Sequence, residues 1–378
     1  MSLRETVSSR WRVIQGDLFP WLEEAHGFLT PRHRQLVMVL DIAEIEALVP
    51  GRYGGSGRPL SERGALARAF VAKAVFNLGT TGALLERLTV DRTLRRLCGW
   101  ARASAVPSAA TFSRAFGEFA ASALPSRLHE ALISATHTDR LVGHISRDST
   151  AIEVREKALP PPRKIKTPKR GPGHPKPAQG EAKQARRVAR QSGMDLTAML
   201  ADLPRHCTTG AKCNAKGHNQ TWIGYKLHMD MADGGIPISC VLTAASLHDS
   251  QVAIPLATMT AQRVTSLYDL MDSAYDVPEI KAHSRSLGHV PIIATHPRKT
   301  PGRKAELKAE AKRRRRVGHL TAEDIRFNER STAERANGRI KDEFGGRTIR
   351  VRGHDKVLCH LMFGVLALTV DQLIRLVT

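Results

Sequence analysis

The chain has 378 residues, enough to bury a sizeable core and to hold roughly two or three domains. Its 58 Lys and Arg against 36 Asp and Glu give a net charge of +22, which points to a polyanionic partner, nucleic acid before membrane. Five cysteines at Cys98, Cys207, Cys213, Cys240 and Cys359 have no framework spacing, which argues against a disulfide-stapled secreted domain and for reduced thiols in a cytoplasmic setting. The N-terminal MSLRETVSSRWRVIQ lacks the apolar stretch of a signal peptide. The longest apolar run, residues 357–370, contains His360, is closed by Asp371 and is too short to span a bilayer, so no membrane segment is expected.

The charge is concentrated. Residues 155–220 carry 15 Lys/Arg and 4 Asp/Glu, and residues 298–316 carry 10 and 2, so 19 of the 22 excess charges lie in two basic stretches. The rest is a nearly neutral globular chain. Residues 1–140 read as a helical N-terminal domain: LVMVLDIAEIEALV recurs at helical spacing, Ser61 caps ALARAFVAKAVFNL before Gly79 stops it, two short helices follow, and Ser108 caps TFSRAFGEFA. Turn spacing alone leaves a helix-turn-helix open, with a plain helical bundle the simpler reading.

Residues 142–154, VGHISRDSTAIEV, read as a first strand with Asp148 at its polar centre. The basic segment that follows, opening PPPRKIKTPKRGPGHPKP, cannot build a core and is expected to be mobile without a partner, apart from one helix over residues 186–203. Residues 221–230 and 238–245 form a hairpin about the turn Asp233-Gly234-Gly235. Then come a helix from Asp249, a fourth strand ending on Asp272, a helix opened by Pro278 and ended by Gly288, a fifth strand at 290–294, a basic insert over 298–322 and two closing helices. This order fits a mixed α/β, RNase H-like sheet flanked by helices over residues 141–378.

Residues 327–341, FNERSTAERANGRIK, concentrate charge on one helix face. Taking Glu334 as zero and one residue as 100°, Arg330 falls at about −40°, Lys341 at about −20° and Phe327 at about +20°, while Ala333, Ala336 and Ile340 lie elsewhere. A solvated helix with i,i+4 pairs would show the same pattern. What favours a site is its company: if the first and fourth strands are neighbours, Asp148 and Asp272 meet at one sheet edge and the helix brings Glu334 across them. Three clustered carboxylates repel one another unless bridged by a cation. Oxygen-only ligands suit Mg²⁺ or Mn²⁺, and two such ions can drive an in-line phosphoryl displacement.

These residues resemble the Asp-Asp-Glu transposases of bacterial insertion sequences. The resemblance is carried by SRDSTAIE around Asp148, GYKLHMDMADGGIPISCVLTAASLHDSQ, LMDSAYD around Asp272, and the last motif. The family's signature there is Tyr, two residues, Arg, three residues, Glu, six residues, Lys; Phe327, Arg330, Glu334 and Lys341 stand at those spacings, with Phe327 lacking the usual hydroxyl. More weakly, PSAATFSRAF is similar to the family's N-terminal segment. The resemblance implies an RNase H-like catalytic domain in which Asp148, Asp272 and Glu334 hold the metal, Arg330 and Lys341 contact DNA, and the protein cleaves the ends of a mobile element and joins them to target DNA. Double-stranded DNA is the partner this implies, and the chemistry of joining two ends leads one to expect a homodimer on DNA. A metal-dependent nuclease without joining and a non-catalytic DNA-binding derivative are the alternatives.

Weaker signals remain. Arg313, Arg314, Arg315 and Arg316, in the run that begins at Lys312, are expected to contact phosphates without reading sequence. His206, Cys207, Cys213 and His218 are metal-ligand types, but their spacing is not that of a standard zinc site, and incidental residues in an arm is the plainer reading. His248 and Asp249 stand near the expected site, with a helix cap by Asp249 the alternative. The apolar helix after residue 357 is expected to be packed core.

Overall fold

The computed structural model describes residues 3–49, 62–138, 140–160, 186–213, 217–295 and 302–378. Eight helices come first: α1 (Leu3–Val13), α2 (Phe19–His26), α3 (Pro31–Ile42), α4 (Arg63–Val75), α5 (Thr81–Val90), α6 (Arg92–Leu97), α7 (Ala109–Ala121) and α8 (Leu124–His137). Local chemistry sets several of their starts. Thr30 accepts from the His33 amide while His33 Nδ1 accepts from the Thr30 amide, a reciprocal cap with Pro31 at the first helical position. Thr80 and Asp91 cap α5 and α6 through the amides of Ala83 and Leu94, both at 2.9 Å.

The cap expected at Ser61 lies outside the described residues. Helix α4 ends before Gly79: the reversal is made by Asn77, at φ 52°, whose side-chain Nδ2 donates to the Asp342 carbonyl. Ser108 does stand at the N-cap of α7, but its hydroxyl pairs with that of Thr111 and not with a backbone amide.

The second part is built on strands β1 (Leu141–Glu153), β2 (Thr208–Cys213), β3 (Asn219–Ala232), β4 (Ile236–Ala244), β5 (Thr265–Met271) and β6 (Val290–Ile293). Their order is β2-β3-β1-β5-β6, with β4 also on β3; β3 runs antiparallel to β1, while β5 and β6 run parallel to it. Gly234 and Gly235, at φ 77° and 72°, make the expected β3–β4 turn, where an L side chain is strained. Asp233 in that turn accepts from the amides of Gly143 and His144, which ties the hairpin to the start of β1. This is an α/β, RNase H-like fold behind a helical N-terminal region.

Two expectations need correcting. The basic segment is not without structure over residues 186–213: α9 (Arg187–Gln191), α10 (Leu196–Ala201) and β2 are ordered there. Its apolar minority is enough, because Val188 and Met199 pack against Ala253, Ile254, Met271 and Tyr275, and its charge is internally paired, Arg187 and Arg190 both reaching Asp202. The single helix expected over 186–203 is broken at Gly193, and Asp195 recaps it. Residues 161–185 and 214–216 of the basic segment lie outside the described residues.

The closing helices are α11 (Ala253–Ala261), α12 (Pro278–Ser286), α13 (Arg303–Arg316), α14 (Ala322–Asn328), α15 (Ser331–Asp342) and α16 (His354–Arg375). By length and composition α16 could cross a membrane, yet 83% of its apolar window is buried inside the protein. It packs on α3, α4, α7 and α8 on one side and on β4 on the other, so one apolar core runs from Val7 to Ile374. At its centre Phe70 stacks on Phe363 at 5.9 Å and meets Phe112, Phe116 and Phe119 edge-on or tilted.

A cation is buried in this core. Lys73, 8% exposed, donates to His360 Nδ1 at 3.4 Å, and His360 Nε2 lies 3.0 Å from the Gly345 carbonyl. Burial lowers the Lys73 ammonium to about 8 from 10.5. Below pH 8 the folded state carries the buried charge in full; between about 8 and 10.5 the unfolded chain binds more protons, so stability rises with pH. Lys73→Met is therefore expected to stabilise the protein at pH 7, by up to about 3 kcal/mol, and to flatten that alkaline rise. Urea melts at pH 7 and pH 10 read both effects, and a Met variant with an unchanged pH slope would refute the account.

Candidate active site

Strand β1 carries Asp148 in its middle because Val142, Ile145 and Ile152 bury it as a strand and β3 pairs along it, Asp148 lying opposite Met229. On its other side β5 runs parallel with Arg147 opposite Met271. Asp148 is the next residue on β1 and Asp272 the first beyond β5, and the two are near enough for the Asp272 charge to act on Asp148, as the neighbouring of first and fourth strands required. Burial pushes the Asp148 carboxyl up to about 6; the Asp272 charge adds to this, while a Ser149 backbone hydrogen bond, Arg330 and Lys212 oppose it. Asp272 closes β5 and caps the short turn of Ser273–Tyr275, accepting from the Ala274 amide at 2.9 Å.

The third carboxylate comes from α15. This helix lays Ala333, Ala336 and Ile340 into the core, the apolar side its sequence assigned it, and packs on β1. The stretch 327–341 is not one helix: α14 ends at Asn328, and α15 starts at Ser331. Arg330 at the junction lies over the Phe327 ring at 5.8 Å and gives a 2.6 Å hydrogen bond to Glu334. Glu334, with a side chain 56% exposed, is thus neutralised by its own neighbour and turned to solvent. Among the described residues no three His, Cys, Asp or Glu side chains are grouped closely enough to hold a metal ion. The structure brings Asp148 and Asp272 together and leaves Glu334 on the adjacent helix.

One residue of the site was missed in the sequence. Asn337 Nδ2 donates to Asp148 Oδ2 at 3.1 Å, so α15 reaches the strand through an amide. Its position was a usable signal: counted from Glu334 it falls at about −60°, beside Arg330 on the polar face. A second group was only half read. Asp249 is no helix cap; it accepts from Lys226 at 2.9 Å, and the cap is His248, whose Nδ1 faces the Ser250 amide and hydroxyl. Beside Asp272 a cleft of about 560 Å³ is lined by Arg186, His248, Asp276, Val277, Pro278 and Glu279.

The flanks are basic. Lys341, half-buried, has its ammonium lowered by burial and then by Arg347, with Lys212 adding to this and Glu153 opposing it, so these side chains share one neighbourhood. Arg313, Arg314, Arg315 and Arg316 form the exposed last turn of α13, where cations suit the helix dipole. Arg314 is engaged by Glu310 at 2.7 Å and Asp324 at 3.3 Å. Of the suggested zinc ligands, Cys207 is buried with its thiol toward the Glu156 carbonyl and His206 is exposed, while the Cys213 side chain lies outside the described residues.

Residues 148–370, more than half of the chain, match the family described as Transposase DDE domain, and residues 21–118 match the one described as Transposase domain (DUF772). The chain therefore belongs to the Asp-Asp-Glu transposases of insertion sequences. No curated protein and no solved structure matches it.

Proposed function

We propose that this transposase binds the ends of a mobile element, cleaves them by metal-dependent phosphodiester hydrolysis and transfers the 3′ ends to target DNA. The observation that supports the reading is the parallel register of β1 and β5 up to Arg147 and Met271, the residues just before Asp148 and Asp272, with α15 packed on β1. The donor chemistry fits a divalent cation: two oxygen ligands on one face, one raised by burial and by its neighbour's charge, form a site short of positive charge. Asp148 and Asp272 would hold the ion, with Glu334 as the third ligand once released from Arg330. Bound there, Mg²⁺ or Mn²⁺, as one ion or two, supplies the Lewis acidity that activates water or a 3′-hydroxyl and stabilises the leaving oxygen.

The protein's own groups do the positioning. Arg330 and Lys341 flank the carboxylates and hold the phosphate chain, Lys341 beside Lys212 and Arg330 within reach of Asp148. Arg313, Arg315 and Arg316 extend the positive surface along the duplex without reading bases. Two ends must be joined, which favours a homodimer on DNA in the cytoplasm. A nuclease that only cuts is the second reading.

The test starts from the DNA on either side of the gene: inverted repeats are expected there, and fragments carrying them are the substrate. Cleavage and joining are expected in Mg²⁺ or Mn²⁺ and neither in excess chelator. Cleavage without joined product would leave the nuclease reading, and full activity in chelator would exclude metal chemistry altogether.

A further inference from the structure

Asn337 is 7% exposed, and only half of its amide is used. Nδ2 donates to Asp148 Oδ2, while Oδ1 is buried with no donor among the described residues. The orientation follows from charge, since an ionised carboxylate accepts and does not donate, so the NH₂ end faces it. A buried amide oxygen left unpaired costs stability, and an apolar residue of similar size would be cheaper in that place. Of the other buried residues of α15, Ala333, Ala336 and Ile340 are apolar, and Thr332 satisfies its hydroxyl on the Glu329 carbonyl at 2.6 Å. An amide kept there at a cost, in direct contact with the carboxylate at the centre of β1, is explained by what it does to that carboxylate.

We propose that Asn337 is a positioning residue of the site: its amide fixes the rotation of the Asp148 carboxylate, leaving the other oxygen free, and registers on β1 the helix that carries Glu334. The inference rests on the reading of Asp148 as a metal ligand and adds the group that orients it. A donor of this kind leaves the ligand set unchanged and sharpens it, and loss of such an outer partner typically weakens metal binding or activity by about 10–100-fold.

Mn²⁺ alone is the probe, titrated into the full-length wild type and the Asn337→Leu, Asn337→Ser and Asp148→Asn variants, with thermal melts in metal-free buffer. Asn337→Leu is expected to melt at or above the wild-type temperature yet to bind Mn²⁺ roughly tenfold more weakly or worse, with kcat for cleavage lowered and DNA affinity unchanged. Asn337→Ser, whose hydroxyl is too short to reach Asp148, is expected to behave alike and replaces Leu if that variant does not fold. Asn337 variants within twofold of wild-type affinity, when Asp148→Asn binds none, would overturn the positioning role alone. No Mn²⁺ binding by the wild type would overturn both the metal reading and this proposal.

Discussion

Asp148→Asn and Asp272→Asn are each expected to slow strand cleavage and joining by roughly a thousandfold or more, about 4 kcal/mol of transition-state stabilisation. Both keep shape and remove a charge that a cation needs. Asp148 is disfavoured as an anion by burial and by Asp272, so Asn at 148 should melt no lower than the wild type. DNA binding should hold or tighten in both variants, because a charge that repels phosphate has gone. Glu334→Gln is expected to lose cleavage equally, although Glu334 is paired with Arg330. Gel assays of cleaved and joined product, beside filter binding of the same DNA, separate chemistry from affinity. An acid variant cleaving near the wild-type rate would remove that residue from the metal site.

The second large effect lies beneath the site. Arg147 and Asp230 are 1% and 0% exposed in their side chains and meet through two hydrogen bonds of 2.8 and 2.7 Å, with Thr260 donating to the same carboxylate. Asp230→Ala leaves a guanidinium buried without its partner and is expected to cost about 3–5 kcal/mol. Asp230→Leu combined with Arg147→Met should recover most of that, since two well-packed apolar groups replace two desolvated ions. Urea denaturation of the single and double variants measures the difference. A double variant as unstable as Asp230→Ala would mean that the pair is needed for the sheet itself. Arg147 directly precedes Asp148 and faces Met271, so the loss should also loosen the register that aligns the two aspartates.

What the sequence revealed and what it hid follow the range of the interactions involved. Strand β1 was legible because its β-formers surround Asp148 locally, and the Arg330–Glu334 pair because its spacing is that of one helical turn. The hairpin was legible from Asp233-Gly234-Gly235. Strand β2 was not, since Thr208–Cys213 is a strand only by virtue of pairing with β3, and its basic surroundings suggested an unfolded arm. Nor could Arg147 be matched to Asp230, 83 residues away in the chain, because partner choice across strands leaves no local pattern. The consequence of the Arg330–Glu334 contact was hidden too: spacing says that the two meet, not that the acid is thereby taken from the aspartates.

Helix α16 carries a consequence for how the chain is made. The first eight helices leave the ribosome with the face around Phe70 uncovered, and the segment that covers it, around Phe363, is synthesised only after the whole sheet. The N-terminal half must therefore wait through the synthesis of the whole sheet with an apolar surface open, the circumstance in which nascent chains aggregate or recruit chaperones. It also follows that a premature stop anywhere before α16 yields no half-functional DNA-binding fragment but an incompletely cored one, so that damaged copies of the gene tend to produce protein that is cleared and not protein that competes.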